Sequence, residues 1–169
     1  MHIPIIENEK IAQEFKDGKQ RIIPIILSHG YEENRMSYST IARELASHGY
    51  LVFIMDHHDG SCVFTMDESK ECFWGFDKTV KDFFDYETMN TKVKTRETEI
   101  NELINTITKD NFLQTKVGFT TSVKLDPTKI VISGHSMGGA TALQVGSNNT
   151  KINCVLTNDA WLLPLHKEL

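Results

Sequence analysis

The run Lys129-Ile130-Val131-Ile132-Ser133-Gly134-His135-Ser136-Met137-Gly138-Gly139 constrains this chain more than any other stretch of it. A short β-branched strand enters Gly-x-Ser-x-Gly, and a small, apolar, helix-forming segment (Ala140, Thr141, Ala142, Leu143, Val145) leaves it. Asp126-Pro127 supplies a turn before the strand. Strand, tight turn and helix in that order form a nucleophile elbow, in which a serine sits on a strained turn with its hydroxyl above the sheet. Gly134 and Gly138 remove side chains that would clash across the turn. The helix N-terminus behind Ser136 aims backbone N–H groups at a developing oxyanion.

The rest of the chain alternates strand and helix signals. Ile22 to Leu27 is a continuous apolar run, as in a strand buried on both faces. Ser37 to His48 reads as a helix capped by Ser37, striped by Ile41, Ala42 and Leu45, and ended by Gly49. Tyr50 to Met55 reads as a second buried strand. Residues 86–109 read as a long helix with Met89, Val93, Ile100, Leu103, Ile104 and Ile107 on its core face, and Lys92, Lys94, Glu97, Glu99 and Glu102 on its solvated side. Residues 111–125 read as a poorly ordered connection, and Ile152 to Thr157 as a fourth strand. The expected class is therefore α/β, with a mostly parallel sheet of four visible strands flanked by helices. Between Asp56 and Asp85 lie Phe64, Phe73, Trp74, Phe76, Phe83 and Phe84, which suit either a loop packed by its own rings or a wall of an apolar cleft.

Active sites on parallel sheets lie at the carboxyl ends of the strands. Those ends deliver His29-Gly30-Tyr31, Asp56-His57-His58-Asp59, Ser136 and Asn158-Asp159. A serine nucleophile needs a histidine to take its proton and an acid to orient that histidine. Asp159 fits the acid. The expected oxyanion donors are the N–H groups of Tyr31 and Met137. No histidine completes the set: His166 follows Asp159 too closely, His135 should point away into the sheet, and His29, His57 and His58 precede the serine. Neighbouring His57, His58 and Asp59 do not make a metal site on their own, and neither metal nor cofactor is expected.

Composition excludes some classes of function. A net charge of −5, with no basic block, argues against nucleic acid as a partner. Cys62, Cys72 and Cys154 lack metal-site spacing and read as buried free thiols. No segment approaches the ~18 apolar residues of a membrane span, and no signal peptide is read at the start, which tilts the expected compartment toward the cytoplasm. The ending His166-Lys167-Glu168-Leu169 echoes an ER-retention tail only faintly and is read as coincidence.

With these residues in view, the chain resembles the platelet-activating-factor acetylhydrolase family of α/β hydrolases (the plasma, type II form). Ile26-Leu27-Ser28-His29-Gly30 resembles its oxyanion strand and loop, and Leu45-Ala46-Ser47-His48-Gly49-Tyr50 its next helix-to-strand junction. His57-His58-Asp59-Gly60-Ser61 resembles its His-x-Asp-Gly-Ser loop, and Gly134 to Thr141 its elbow. Asp159-Ala160-Trp161-Leu162-Leu163-Pro164-Leu165 resembles the segment holding its catalytic aspartate. Met137 stands where the family often has Phe.

The resemblance implies Ser136 as nucleophile, Asp159 as triad acid, and Tyr31 and Met137 as oxyanion donors. It implies calcium-independent removal of a short sn-2 acyl group, typically acetyl, from an ether phospholipid, with contact to a membrane or lipid-aggregate surface. In the family, further strands and the triad histidine follow the aspartate, so residues 1–169 are expected to be one incomplete α/β-hydrolase domain. The alternatives are an inactive fragment or a lipid- or partner-binding remnant lacking the triad histidine, and an esterase or thioesterase for an unrelated small acyl group.

Overall fold

A computed structural model describes residues 11–66, 72–73, 77, 80, 82–120 and 122–165. His166, Trp74 and Phe76, each singled out in the sequence, lie outside these residues. The elements in chain order are α1 (Gln13–Lys16), β1 (Ile23–Ser28), α2 (Ser39–Ser47), β2 (Tyr50–Ile54), β3 (Thr65–Met66), β4 (Cys72–Phe73), α3 (Tyr86–Ile107), β5 (Ile130–His135), α4 (Met137–Asn148) and β6 (Ile152–Asn158). Four strands form one all-parallel sheet in the order β2-β1-β5-β6. β3 and β4 make a small antiparallel pair apart from it.

Alternation along the strands sorts side chains to the two faces. Ile26, Ile130 and Ile132 pack with Ile100, Ile104 and Ile107 of α3 and Ala142 and Val145 of α4. Ile25 and Leu27 face the other way, onto Ala42 of α2. The result is an α/β/α sandwich in which α3 and α4 cover one face and α2 the other. The sheet thus has the expected class, with β1 and β5 buried at its centre.

Local chemistry moves some boundaries. The segment before α2 is a turn of 3₁₀ helix, Arg35–Tyr38, capped by Asn34 Oδ1, which accepts from Met36 N at 3.0 Å. Ser37 therefore lies inside that turn and caps nothing. The end of α2 follows the sequence: Gly49 takes φ +88° and donates to Ala46 O. Asp85 caps α3, its carboxylate accepting from Thr88 N at 2.9 Å, and α3 stops at Ile107.

Residues 111–120 and 122–125 are folded, not the poorly ordered connection expected. Leu113–Val117 form a short π-helical turn closed by Gly118 at φ +79°. Gln114 Nε2 donates to Thr120 O and Val123 O. Leu113 and Val123 join Ile22 in a satellite core. These apolar residues are too widely spaced to register as a periodic stripe, yet two buried anchors suffice to order a loop this short.

Cys62 is buried, but Cys154 is exposed. Cys154 lies on β6, an edge strand whose side chains are largely open, with Leu156 53% exposed. Among the described residues, β6 has no strand beside it on one side and no helix over one face, so it does not bury what alternation sends there.

Candidate active site

The turn at Ser136 is as tight as the motif implies. Ser136 sits at φ +53°, ψ −120°, a conformation that costs a non-glycine residue of order 1–3 kcal/mol and persists only where surroundings over-determine it. Here they do. Ser136 N donates to Asn158 O at 3.1 Å, and Ser136 O accepts from Gly139 N, Ala140 N and Trp161 N at 3.0, 3.2 and 2.9 Å. A Cβ at Gly134 would lie 2.1 Å from Gly138 O, and one at Gly138 would lie 2.1 Å from Ser28 O. The second contact places the end of β1 directly against the first turn of α4. Ser136 is half-buried and Met137 fully buried, so Met137 opens α4 with its side chain in the core.

Register brings Asp159 beside the serine. His135 of β5 pairs with Asn158 of β6, so Ser136 and Asp159 are the next residues off adjacent parallel strands. The Trp161 N–H bond to Ser136 O ties the following segment back to the elbow. Asp159 itself is exposed, at φ +46°.

Tyr31 lies in the loop after β1. Gly30 N donates to Glu33 Oε2 at 2.8 Å and reaches the Tyr38 hydroxyl at 3.2 Å. Tyr38 in turn donates to Glu33. Burial pushes the Glu33 carboxyl up, but these bonds outweigh it and hold the group below its ordinary range. His135 does not tuck into the sheet as expected. Its side chain is about one-third exposed and meets the same cluster, with Nδ1 2.8 Å from the Tyr38 hydroxyl and 3.4 Å from Glu33 Oε2. The elbow and the β1 loop are thereby clamped together. Phe83 packs edge-on to Tyr31 at 5.3 Å, a contact that fits both readings of the aromatic segment.

Beneath the loop lies a buried polar network that the sequence reading missed. Arg96 of α3 is fully buried and pairs with Asp59, Nε to Oδ2, at 2.6 Å. It also donates to His29 O at 2.6 Å and to the Ser61 hydroxyl. Lys92 Nζ donates to Asp59 O at 2.6 Å. Glu99 accepts from His57 Nδ1 at 2.7 Å and from His58 N at 2.9 Å, and His57 Nε2 then accepts from the Ser28 hydroxyl at 2.8 Å.

Lys92 and Glu99 are therefore not on a solvated face. Burial and the nearby Arg96 charge hold His57 below its ordinary pKa. Burial first, then the Arg96 and His57 charges, lower His29 to about 4. Burial raises Asp59, but Arg96 and the Ser61 bond bring it below the usual carboxylate range. One sequence signal pointed here: the apolar stripe Met89, Val93, Ile100 skips a beat at Arg96, where the helical repeat calls for another apolar side chain.

His29, Asp56 and Cys62 bring one potential ligand atom each within 4.8 Å of one another, but the donor set does not suit a metal. His29 Nε2 accepts from His57 N, Asp56 holds Arg35 and Thr65, and burial pushes the Cys62 thiol up to about 11. Among the described residues, no hydrogen bond joins a histidine to Ser136 or Asp159.

A parallel sheet with this elbow on a central strand is an α/β-hydrolase. A solved ferulic acid esterase from Streptomyces cinnamoneus shares the fold, with a TM-score of 0.60 at 18% identity over 79% of this chain and 35% of that one. Within that class, residues 1–169 match the family model described as platelet-activating factor acetylhydrolase, isoform II, and the chain belongs to that family. It is 32% identical to the platelet-activating factor acetylhydrolase of Canis lupus familiaris, over 83% of this chain and 35% of the relative. It is 31% identical to that of Bos taurus, over 86% and 36%. The chain thus spans about a third of the length of these curated relatives.

Proposed function

We propose that this chain carries the nucleophile, oxyanion and acid elements of a serine esterase that removes a short sn-2 acyl group, acetyl above all, from platelet-activating-factor-like ether phospholipids without calcium. The reaction is that of a 1-alkyl-2-acetylglycerophosphocholine esterase. Ser136 Oγ attacks the ester carbonyl carbon as a histidine takes the hydroxyl proton. The N–H groups of Tyr31 and Met137 stabilise the oxyanion. Collapse expels the lysophospholipid alcohol, which receives that proton, and water then hydrolyses the acyl-serine by the same route. Asp159 orients the histidine, which we assign to sequence outside the third of the relatives' length that this chain spans.

The observation that carries this reading is the strained Ser136, held between the α4 N-terminus and the β1 loop with Asp159 at the neighbouring strand end. A second reading, an inactive lipid- or partner-binding piece, draws on the lack of a described histidine at Ser136. The test measures acetate release from an sn-2 acetyl ether phospholipid in EDTA, by the 169-residue chain and by the longest native form containing it. Turnover by the longer form that vanishes in Ser136→Ala and falls with acyl length supports the esterase. Turnover that survives Ser136→Ala sinks it, and a flat acyl-length profile removes the acetyl preference.

A further inference from the structure

Tyr31 can serve as an oxyanion donor only if the peptide between Gly30 and Tyr31 faces the right way, and the buried network controls that peptide. A trans peptide points its C=O and N–H in opposite directions, so whatever grips Gly30 O also aims Tyr31 N–H.

Two groups grip it. His29 Nδ1 lies 2.6 Å from Gly30 O, and Arg96 Nη2 lies 3.5 Å away on the same buried side. The preceding peptide is held at both ends, His29 O by Arg96 Nη1 at 2.6 Å and Gly30 N by Glu33 at 2.8 Å. The tautomer of His29 follows from its other contact. His57 N, a backbone amide that can only donate, meets His29 Nε2 at 3.1 Å. Nε2 must then offer a lone pair, and the single proton of a neutral ring sits on Nδ1, ready to donate to Gly30 O. Protonating Nε2 would set two donors against each other.

We propose that His29 and Arg96 are positioning residues of the oxyanion hole: the Nδ1–H tautomer of His29, imposed by the His57 backbone amide, and the Arg96 guanidinium lock Gly30 C=O inward and so turn Tyr31 N–H toward the space above Ser136. This rests on the esterase reading for its catalytic consequence, though not for its structural one. The depressed pKa of His29 keeps the ring neutral at physiological pH, as the lock requires.

The first test needs no variant and no activity. In ¹⁵N-labelled protein at pH 7, the His29 ring should show a protonated Nδ1 and a bare Nε2. An Nε2–H tautomer or a doubly protonated ring overturns the proposal. The second test uses the longest active native form. Asn places an amide nitrogen where Nδ1 was, whereas Gln places its amide at the Nε2 position. His29→Gln should lose roughly 100-fold in kcat with KM nearly unchanged, the scale of losing one oxyanion donor, while His29→Asn should keep most of kcat.

Equal kcat for wild type and His29→Gln overturns the proposal, as does equal loss in both variants. If His29→Gln does not fold, Arg96→Lys, which keeps a cation beside Asp59 but gives up the planar fork, should lower kcat about tenfold at constant KM. An unchanged kcat there overturns the Arg96 part. Ser136→Ala, assayed alongside, separates the two ideas. Retained turnover in Ser136→Ala defeats the esterase reading, whereas a dead Ser136→Ala with an undisturbed His29→Gln defeats only the positioning role.

Discussion

On the α3 side of Ser136, the chain holds Arg96, Asp59, His29, His57 and Glu99 in one continuous buried network, and the β1 loop rests on it. On the β6 side, Asp159 is exposed and sits at a strand end whose side chains are largely open. The two regions flank the same serine, yet one holds its polar side chains buried and bonded, whereas the other ties its backbone to Ser136 and leaves the Asp159 side chain open. A hydrogen-bond donor for a transition state must be fixed before the substrate arrives, because reorganising it would cost part of the stabilisation it provides. A carboxylate that merely orients a histidine is fixed chiefly by that histidine. On the esterase reading proposed above, the oxyanion half of the site is braced by the buried network, and the Asp159 carboxylate stands open for the histidine that it is proposed to orient.

This contrast can be broken most sharply at Gly138. Gly138→Ala would drive a methyl into Ser28 O and should destabilise the protein by on the order of 5 kcal/mol; a urea midpoint near wild type would refute the tight apposition of β1 and α4. Arg96→Met should cost about 3–5 kcal/mol by leaving Asp59 charged and unpaired, seen as a lower denaturation midpoint at pH 7. An Arg96→Met, Asp59→Asn double variant should recover part of that loss.

Acid sharpens the comparison next. His29 has a folded pKa of about 4 against an ordinary 6.5, so below pH 6.5 the unfolded chain binds the proton more readily than the folded one. Its contribution is fully present above pH 6.5 and is lost as pH falls toward 4, roughly 3 kcal/mol over that window. Equilibrium unfolding at steps from pH 7 to pH 4 checks this, and a His29→Asn variant should flatten the slope. The smallest effects belong to the β6 side. Asp159→Asn and Leu156→Lys should each change stability by under about 0.5 kcal/mol, read as near-superimposable melting curves. A large shift from Asp159→Asn would mean that the acid side is braced after all.

What the sequence disclosed divides along the same line. The strands of the sheet, the elbow and the long helix were legible because apolar runs and glycine spacing are local signals. The place of Asp159 at the end of β6, next to the elbow, was legible for the same reason, while its role as the acid stays a proposal. The buried network was not, because Lys92 and Glu99 look like any solvated charges on a helix, and only the fold shows that Asp59 and His57 await them. Residues 111–125 misled for the opposite reason: Leu113 and Val123 are isolated apolar residues whose partner, Ile22, is distant in sequence. His135 was misplaced because a residue next to an elbow serine was expected to follow strand alternation, whereas Glu33 and Tyr38 offer it a polar partner outside the sheet.

The backbone at Ser136 has one more consequence. Its φ of +53° with ψ of −120° is a conformation that glycine adopts freely and serine does not. Ser136→Gly should therefore melt higher than the natural chain while losing any acyl transfer, a trade of durability for chemistry confined to one residue. Folding alone favours glycine at this position, and on the esterase reading proposed above the serine is kept there for its hydroxyl.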